Sequence, residues 1–202
     1  MKRISVSDEY GDIIERIEDK RRVRVVLGRT YVIEKAGSGD ALEILSVINT
    51  SNREAYKKLI PGEYFREPFL SLEKFQQNIE GMALYVCRSE GRIVGVAALS
   101  VENEELGKIR WVYVLPEYQR KGTGTALVTR LEQKAKEMGL KRIRLVTVGG
   151  AEWAVSFYRK LGYELAGRIE RLWGSDVSME KTLQHCRAIP YRRSRSTTGS
   201  GA

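Results

Sequence analysis

Gln119-Arg120-Lys121-Gly122-Thr123-Gly124-Thr125 is the stretch whose residue types and spacing first add up to chemistry. An apolar run, Ile109 to Leu115, meets Pro116 and then this basic, glycine-bearing turn. An amphipathic segment follows at once, with Ala126, Leu127, Leu131, Ala135 and Met138 at helical spacing. Strand, glycine turn and helix start together form an anion site. Glycines let backbone N–H groups reach a phosphate without an intervening Cβ, and the helix dipole adds partial positive charge. Arg120 and Lys121 add full charges beside it.

Two familiar phosphate loops do not fit. No segment has four residues between a first Gly and a Gly-Lys-Ser/Thr, and Leu127 stands where a dinucleotide fingerprint needs its third glycine. The segment instead resembles the Gln/Arg-x-x-Gly-x-Gly/Ala pyrophosphate loop of the GNAT acyl-CoA N-acyltransferases, and Val112-Tyr113-Val114-Leu115-Pro116-Glu117-Tyr118 resembles that family's approach to the loop. A second stretch, Ala154-Val155-Ser156-Phe157-Tyr158-Arg159-Lys160-Leu161-Gly162-Tyr163, resembles the family's later helix. Its own physics is readable: Trp153, Ala154, Phe157 and Leu161 make one apolar face, Arg159 and Lys160 suit the C-terminal end of the dipole, and Gly162 suits a C-cap. Tyr158 lies beside that face. A lone tyrosine there would read as structural; following a CoA-type loop it reads as catalytic.

The elements that must position these residues follow from the pattern. Arg22–Leu27 and Thr30–Lys35 read as a hairpin. A helix follows Ser38-Gly39-Asp40, with Leu42, Leu45, Ile48, Ala55, Tyr56 and Leu59 spaced for one face. The aromatic loop Tyr64 to Phe69 leads to a helix capped by Ser71. Strands are expected at 82–87, 92–101 and 108–115. After the loop and its helix come a strand at 142–148, the Tyr158 helix, and strands near 164–172 and 176–182. The order ββααβββαβαββ matches the GNAT arrangement with one extra N-terminal strand. The expected fold is therefore α/β (α+β): one domain at residues 30–183, with a mixed sheet of about seven strands flanked by helices. Residues 1–29 are expected as an N-terminal extension with one strand, and 184–202 as a basic, disordered tail.

Composition agrees with a soluble globular class: 202 residues suit one well-buried domain, and no run nears the length of a membrane span. The N-terminus lacks the apolar stretch of a secretory signal. Cys87 and Cys186 give neither a disulfide framework nor a metal pattern, which points to the cytoplasm and to no metal site. His185 is the single histidine, so histidine-based nucleophilic catalysis has little to stand on. The net charge of +9 collects at the ends, with Arg187, Arg192, Arg193 and Arg195 in the tail. Nucleic acid is conceivable there, but without interleaved aromatics solvated faces are favoured.

The resemblance implies acetyl transfer from acetyl-CoA to a primary amine, a protein N-terminus or lysine being slightly preferred over a small amine, in a monomer or homodimer. It implies that Val112 and Val114 amides run along the cofactor, and that Gln119, Arg120, Lys121, Gly122, Thr123, Gly124 and Thr125 hold the pyrophosphate. Tyr158 would protonate the departing thiolate. Two positions depart from the family: Lys108 stands where many members carry a basic Glu, and Ala151 where many carry an Asn that contacts the cofactor. Those departures and the basic ends keep open an alternative, a non-catalytic acyl-CoA-binding or nucleic-acid-associated module on the same fold.

Overall fold

The computed structural model describes residues 30–183 in full; of residues 1–29 it describes only the backbones of the strand segments. The expected disordered tail, His185 and Cys186 lie outside the described residues. The strands are β1 (Ile4–Ser5), β2 (Ile14–Glu18), β3 (Arg21–Val26), β4 (Arg29–Lys35), β5 (Ala83–Ser89), β6 (Arg92–Val101), β7 (Leu106–Val114), β8 (Arg142–Val148), β9 (Glu164–Arg171) and β10 (Gly174–Thr182). They form a single sheet in the order β1-β2-β3-β4-β5-β6-β7-β8-β10-β9. The helices are α1 (Ala41–Tyr56), α2 (Leu72–Ile79), α3 (Thr123–Glu137) and α4 (Glu152–Lys160). Strands β4 to β10 are the expected seven-stranded mixed sheet with its flanking helices. Before residue 30 the backbone has three strands where the sequence suggests one, because Ile14–Glu18 is too short and too charged to stand out from its surroundings.

Every neighbouring pair is antiparallel except β7 and β8, which run parallel. Two cores cover the two faces of the sheet. One packs Leu127, Val128, Leu131 and Ala135 of α3, with Tyr158 and Tyr163, against β4–β8 and β10. The other packs Ile44, Leu45, Val47 and Ile48 of α1, with Phe75 of α2, against β5 and β6. β6 is consequently buried on both faces and nearly continuously apolar.

α3 begins where it does because Gly95 on β6 lies beneath it. A Cβ on Gly95 would come within 3.0 Å of Leu127 and 3.3 Å of Thr123, so the missing side chain lets the first turn settle onto the sheet. Leu127, Val128 and Leu131 are fully buried, each contributing about 1.5–3 kcal/mol. Met138, expected on this face, is instead 42% exposed beyond the helix end. α1 differs in a similar way: its buried stripe is Ile44, Leu45, Val47, Ile48, Ser51 and Asn52, while Leu42 faces solvent. Leu42 and Leu45 sit three apart and share a stripe on paper, but the sheet contacts the helix one residue further round.

α4 ends in a Schellman motif. Gly162 at φ +84° donates to the Arg159 carbonyl (2.9 Å) and Tyr163 donates to the Tyr158 carbonyl (3.1 Å), with the Tyr158 and Tyr163 rings 5.7 Å apart. Gly162 thus caps the helix as its sequence suggests. The expected face of α4 is rotated, however. Tyr158 and Ala154 are buried, whereas Trp153 is 56% exposed with its ring against Tyr56.

Candidate active site

β7 carries a bulge. Its pairing with β6 passes from Arg110 opposite Ala98 to Tyr113 opposite Val96, leaving Trp111 and Val112 against the single residue Ala97. Trp111 adopts φ +54°, unusual for a residue with a side chain. On its other side β7 pairs with β8 only over Leu106–Lys108. Beyond Lys108 the two strands part and leave a gap. The Leu115 amide donates to the Val94 carbonyl (2.9 Å), so the alternation of a strand turns the Val114 amide the other way, toward that gap.

The turn after β7 is held by its own side chains. Gln119 Nε2 donates to the Val114 carbonyl (2.9 Å), Thr123 Oγ1 to the Tyr118 carbonyl (3.4 Å) and Lys121 Nζ to the Glu117 carbonyl (2.6 Å). Lys121 also stands over the Tyr118 ring. Arg120 at φ +57° and Gly122 at φ +76° bend the backbone into the helix. No side chain caps α3 and no acid lies in its first turn, in contrast to α2, where Ser71 accepts from the Lys74 amide. The first-turn amides of Thr123, Gly124 and Thr125 therefore face outward with no capping side chain, as an anion requires. Arg120 is exposed and has no ion pair among the described residues. The sequence-selected positions Val112, Val114 and Gln119 to Thr125 thus lie along the end of β7, the turn and the first turn of α3. Thr123 can offer a ligand only its backbone, because its buried side chain holds the turn.

Tyr158 stands on α4, which packs against α3 beside the turn. The neighbouring Phe157 ring lies 3.3 Å from where a Cβ on Gly124 would stand, so the small residue at 124 admits α4 against α3. Burial pushes the Tyr158 hydroxyl well above the ordinary phenol range, and the nearby Tyr56 and Tyr113 hydroxyls push it further. A phenol so placed stays protonated at neutral pH. Burial likewise raises Tyr113, whose hydroxyl accepts from Asn52 Nδ2 at 2.8 Å.

Tyr56 and Tyr113 also line a cavity of about 470 Å³ between the loop joining α1 to α2 and the ends of β8 and β10. Its walls include Phe65, Phe69, Trp173 and Asp176. The Thr147 hydroxyl lies beside that of Tyr56 but closes no hydrogen bond. Asp176, Tyr56 and Tyr113 escaped the sequence reading. Asp176 sits in an ordinary alternating strand, and only the fold brings it opposite an aromatic loop more than a hundred residues earlier.

Lys108 is not part of this assembly. It lies at the closed end of the β7–β8 ladder, 3.6 Å from Glu102, which also pairs with Arg144. Burial pushes the Glu102 carboxyl up, but Arg144 and Lys108 together hold it below the ordinary glutamate value. Such a carboxylate is a weak base. Glu105 is taken by Lys141. Cys87 is fully buried in β5, and burial pushes its thiol up to about 12. Among the described residues no three His, Cys, Asp or Glu side chains converge as a metal site, and no helix is long and apolar enough to cross a membrane.

Comparison with known proteins converges on the same elements. The chain is 33% identical over 110 residues to the amino-acid acetyltransferase of Pseudomonas putida (strain GB-1), covering 54% of this chain and 24% of that protein. It is 30% identical over 86 residues to an uncharacterized N-acetyltransferase of Methanocaldococcus jannaschii, covering 40% of this chain and 38% of that protein. The chain thus spans about a quarter to two fifths of the length of these curated relatives. Among solved structures it resembles the PaiA N-acetyltransferase of Thermoplasma acidophilum in complex with coenzyme A, with TM-score 0.65 and 25% identity over 75% of this chain and 98% of that one. It shares its fold with the ribosomal-protein-S18-alanine N-acetyltransferase of Escherichia coli, with TM-score 0.64 and 17% identity over 80% of this chain and 99% of that one. Residues 45–163, which hold the splayed strand, the uncapped helix and Tyr158, match the Acetyltransferase (GNAT) family, and the chain belongs to that family.

Proposed function

We propose that this chain moves an acetyl group from acetyl-CoA to a primary amine. The observation that carries this reading is the position of Tyr158, on a helix that packs against Gly124 of the anion-binding turn and beside two tyrosines of the aromatic cavity. The α3 amides with Arg120 and Lys121 hold the diphosphate, and the Val112 and Val114 amides align the extended arm in the gap between β7 and β8. The thioester carbonyl then faces an amine arriving from the cavity. The ammonium first gives one proton to solvent, the neutral nitrogen attacks, the C–N bond forms and the C–S bond breaks. The Tyr158 hydroxyl gives its proton to the thiolate and regains one through solvent from the proton that nitrogen then sheds. Holding both reactants in one cleft supplies much of the rate.

A protein N-terminus or lysine is preferred over a small amine as acceptor. The cavity opens along the exposed loop, where Tyr64 and Phe69 are 39% and 42% exposed, which leaves room for a chain to continue beyond the amine. The relatives named for amino-acid and ribosomal-protein-alanine acetylation bracket these choices. The test is thiol release from acetyl-CoA across a panel of peptides, amino acids and polyamines. Release with peptides ahead of small amines is expected. Acetyl-CoA binding without release to any acceptor would favour the non-catalytic module.

A further inference from the structure

We propose that Asp176 is the counter-ion that receives the ammonium group of the acceptor, and that the site thereby selects cationic amines over neutral ones. This rests on the acetyl-transfer reading above. Asp176 is the sole carboxylate lining the aromatic cavity among the described residues, and it is only 9% exposed. Arg171 occupies one oxygen alone: its Nε and a terminal nitrogen both reach Oδ2, at 2.7 and 2.6 Å. Oδ1 has no hydrogen bond among the described residues. Tyr56, Tyr64, Phe65, Phe69 and Trp173 line the same cavity.

A primary ammonium needs what this arrangement offers. It carries three donors and no acceptor, it gains most from a carboxylate shielded from water, and it is attracted to the faces of aromatic rings. A neutral amine gains none of the charge terms. The cavity's other charged lining residue, Arg66, stands on the exposed loop with no ion pair among the described residues, so it does not compensate Asp176. The position also answers the absence of a Glu at Lys108. Lys108 and Glu102 neutralise each other at the closed end of β7, whereas Asp176 presents a carboxylate on β10 at the open end.

Asp176 has a structural partner, so the experiment separates the two roles. KM is measured for the best cationic acceptor of the panel and for hydroxylamine, which is largely uncharged at neutral pH. Asp176→Asn should raise KM for the cationic acceptor at least about tenfold, the loss of one charge-assisted hydrogen bond. KM for acetyl-CoA and the hydroxylamine rate should stay within about twofold. Arg171→Gln removes the ion pair and keeps the carboxylate, and should lower KM for the cation. Equal increases in both variants would make the pair merely structural and overturn the proposal, as would an unchanged KM in Asp176→Asn. If the wild type releases no thiol with any acceptor, the acetyl-transfer reading fails on its own. Spermidine binding to the CoA-loaded protein, measured by calorimetry, then decides the inference. Weaker binding to Asp176→Asn than to wild type supports it, and equal binding, or none to wild type, overturns it.

Discussion

At its start β7 is held on both sides, whereas at its end it is held on one. Gly107 and Lys108 pair with both β6 and β8, and Glu102 clamps Lys108 and Arg144 across that junction. From Trp111 onward the strand bulges and is no longer paired with β8. Glu102, Lys108 and Arg144 gather at the closed end, and the hydroxyls of Tyr56 and Tyr113 with the Asp176–Arg171 pair at the open end. The contrast separates stability from chemistry along one strand of nine residues. Substitutions at the closed end should move melting and leave turnover alone, and those at the open end should do the reverse.

The largest expected effect lies at the open end. Tyr158→Phe keeps the ring in its packing and removes only the proton, so kcat should fall by about 10²–10⁴-fold with acetyl-CoA affinity nearly intact. An unchanged kcat, with chemistry shown to limit the rate, would return Tyr158 to a packing role. Next comes the turn. Arg120→Glu with Lys121→Glu should weaken acetyl-CoA binding by calorimetry at least about tenfold, and less as salt rises. A change that is salt-independent would place the diphosphate elsewhere.

The smallest effect belongs to the closed end. Glu102→Gln leaves Lys108 and Arg144 facing each other and should cost about 1 kcal/mol at neutral pH, since the group is partly exposed to solvent. The folded carboxyl titrates below its unfolded value, so its contribution is fully present above the ordinary value of about 4.3. It is lost as pH falls through the depressed value. Thermal melts of the two proteins should therefore differ at neutral pH and converge in acid, while kcat stays within about twofold. A large fall in kcat would bring Glu102 into the chemistry and dissolve the contrast between the two ends.

These two ends were unequally legible. The turn from Gln119 to Gly124 announces itself because glycine, positive charge and the onset of helical periodicity coincide, and Ser71 and Gly162 mark helix ends through residue-specific backbone chemistry. Local signals of this kind survive in sequence. The bulge does not, because Trp111 takes a positive φ without a glycine and Arg110 to Val114 reads as plain strand. Nor does the rotation of α4, since a tryptophan counts as core by composition while Trp153 spends its ring on Tyr56 at the surface. Asp176, Tyr56 and Tyr113 come together from three distant segments. Such convergence belongs to topology, and the chain carries no local trace of it.

An acyl thioester also invites a reaction the molecule must avoid, in which a protein sulfur displaces coenzyme A and traps the acetyl group on the protein itself. Thiolates do this, thiols scarcely. With its thiol raised to about 12, Cys87 exists at neutral pH as thiolate in only about one molecule in 10⁵, and β5 keeps it from any bound donor. The same burial that makes this side chain part of the core therefore withdraws Cys87 from any such exchange.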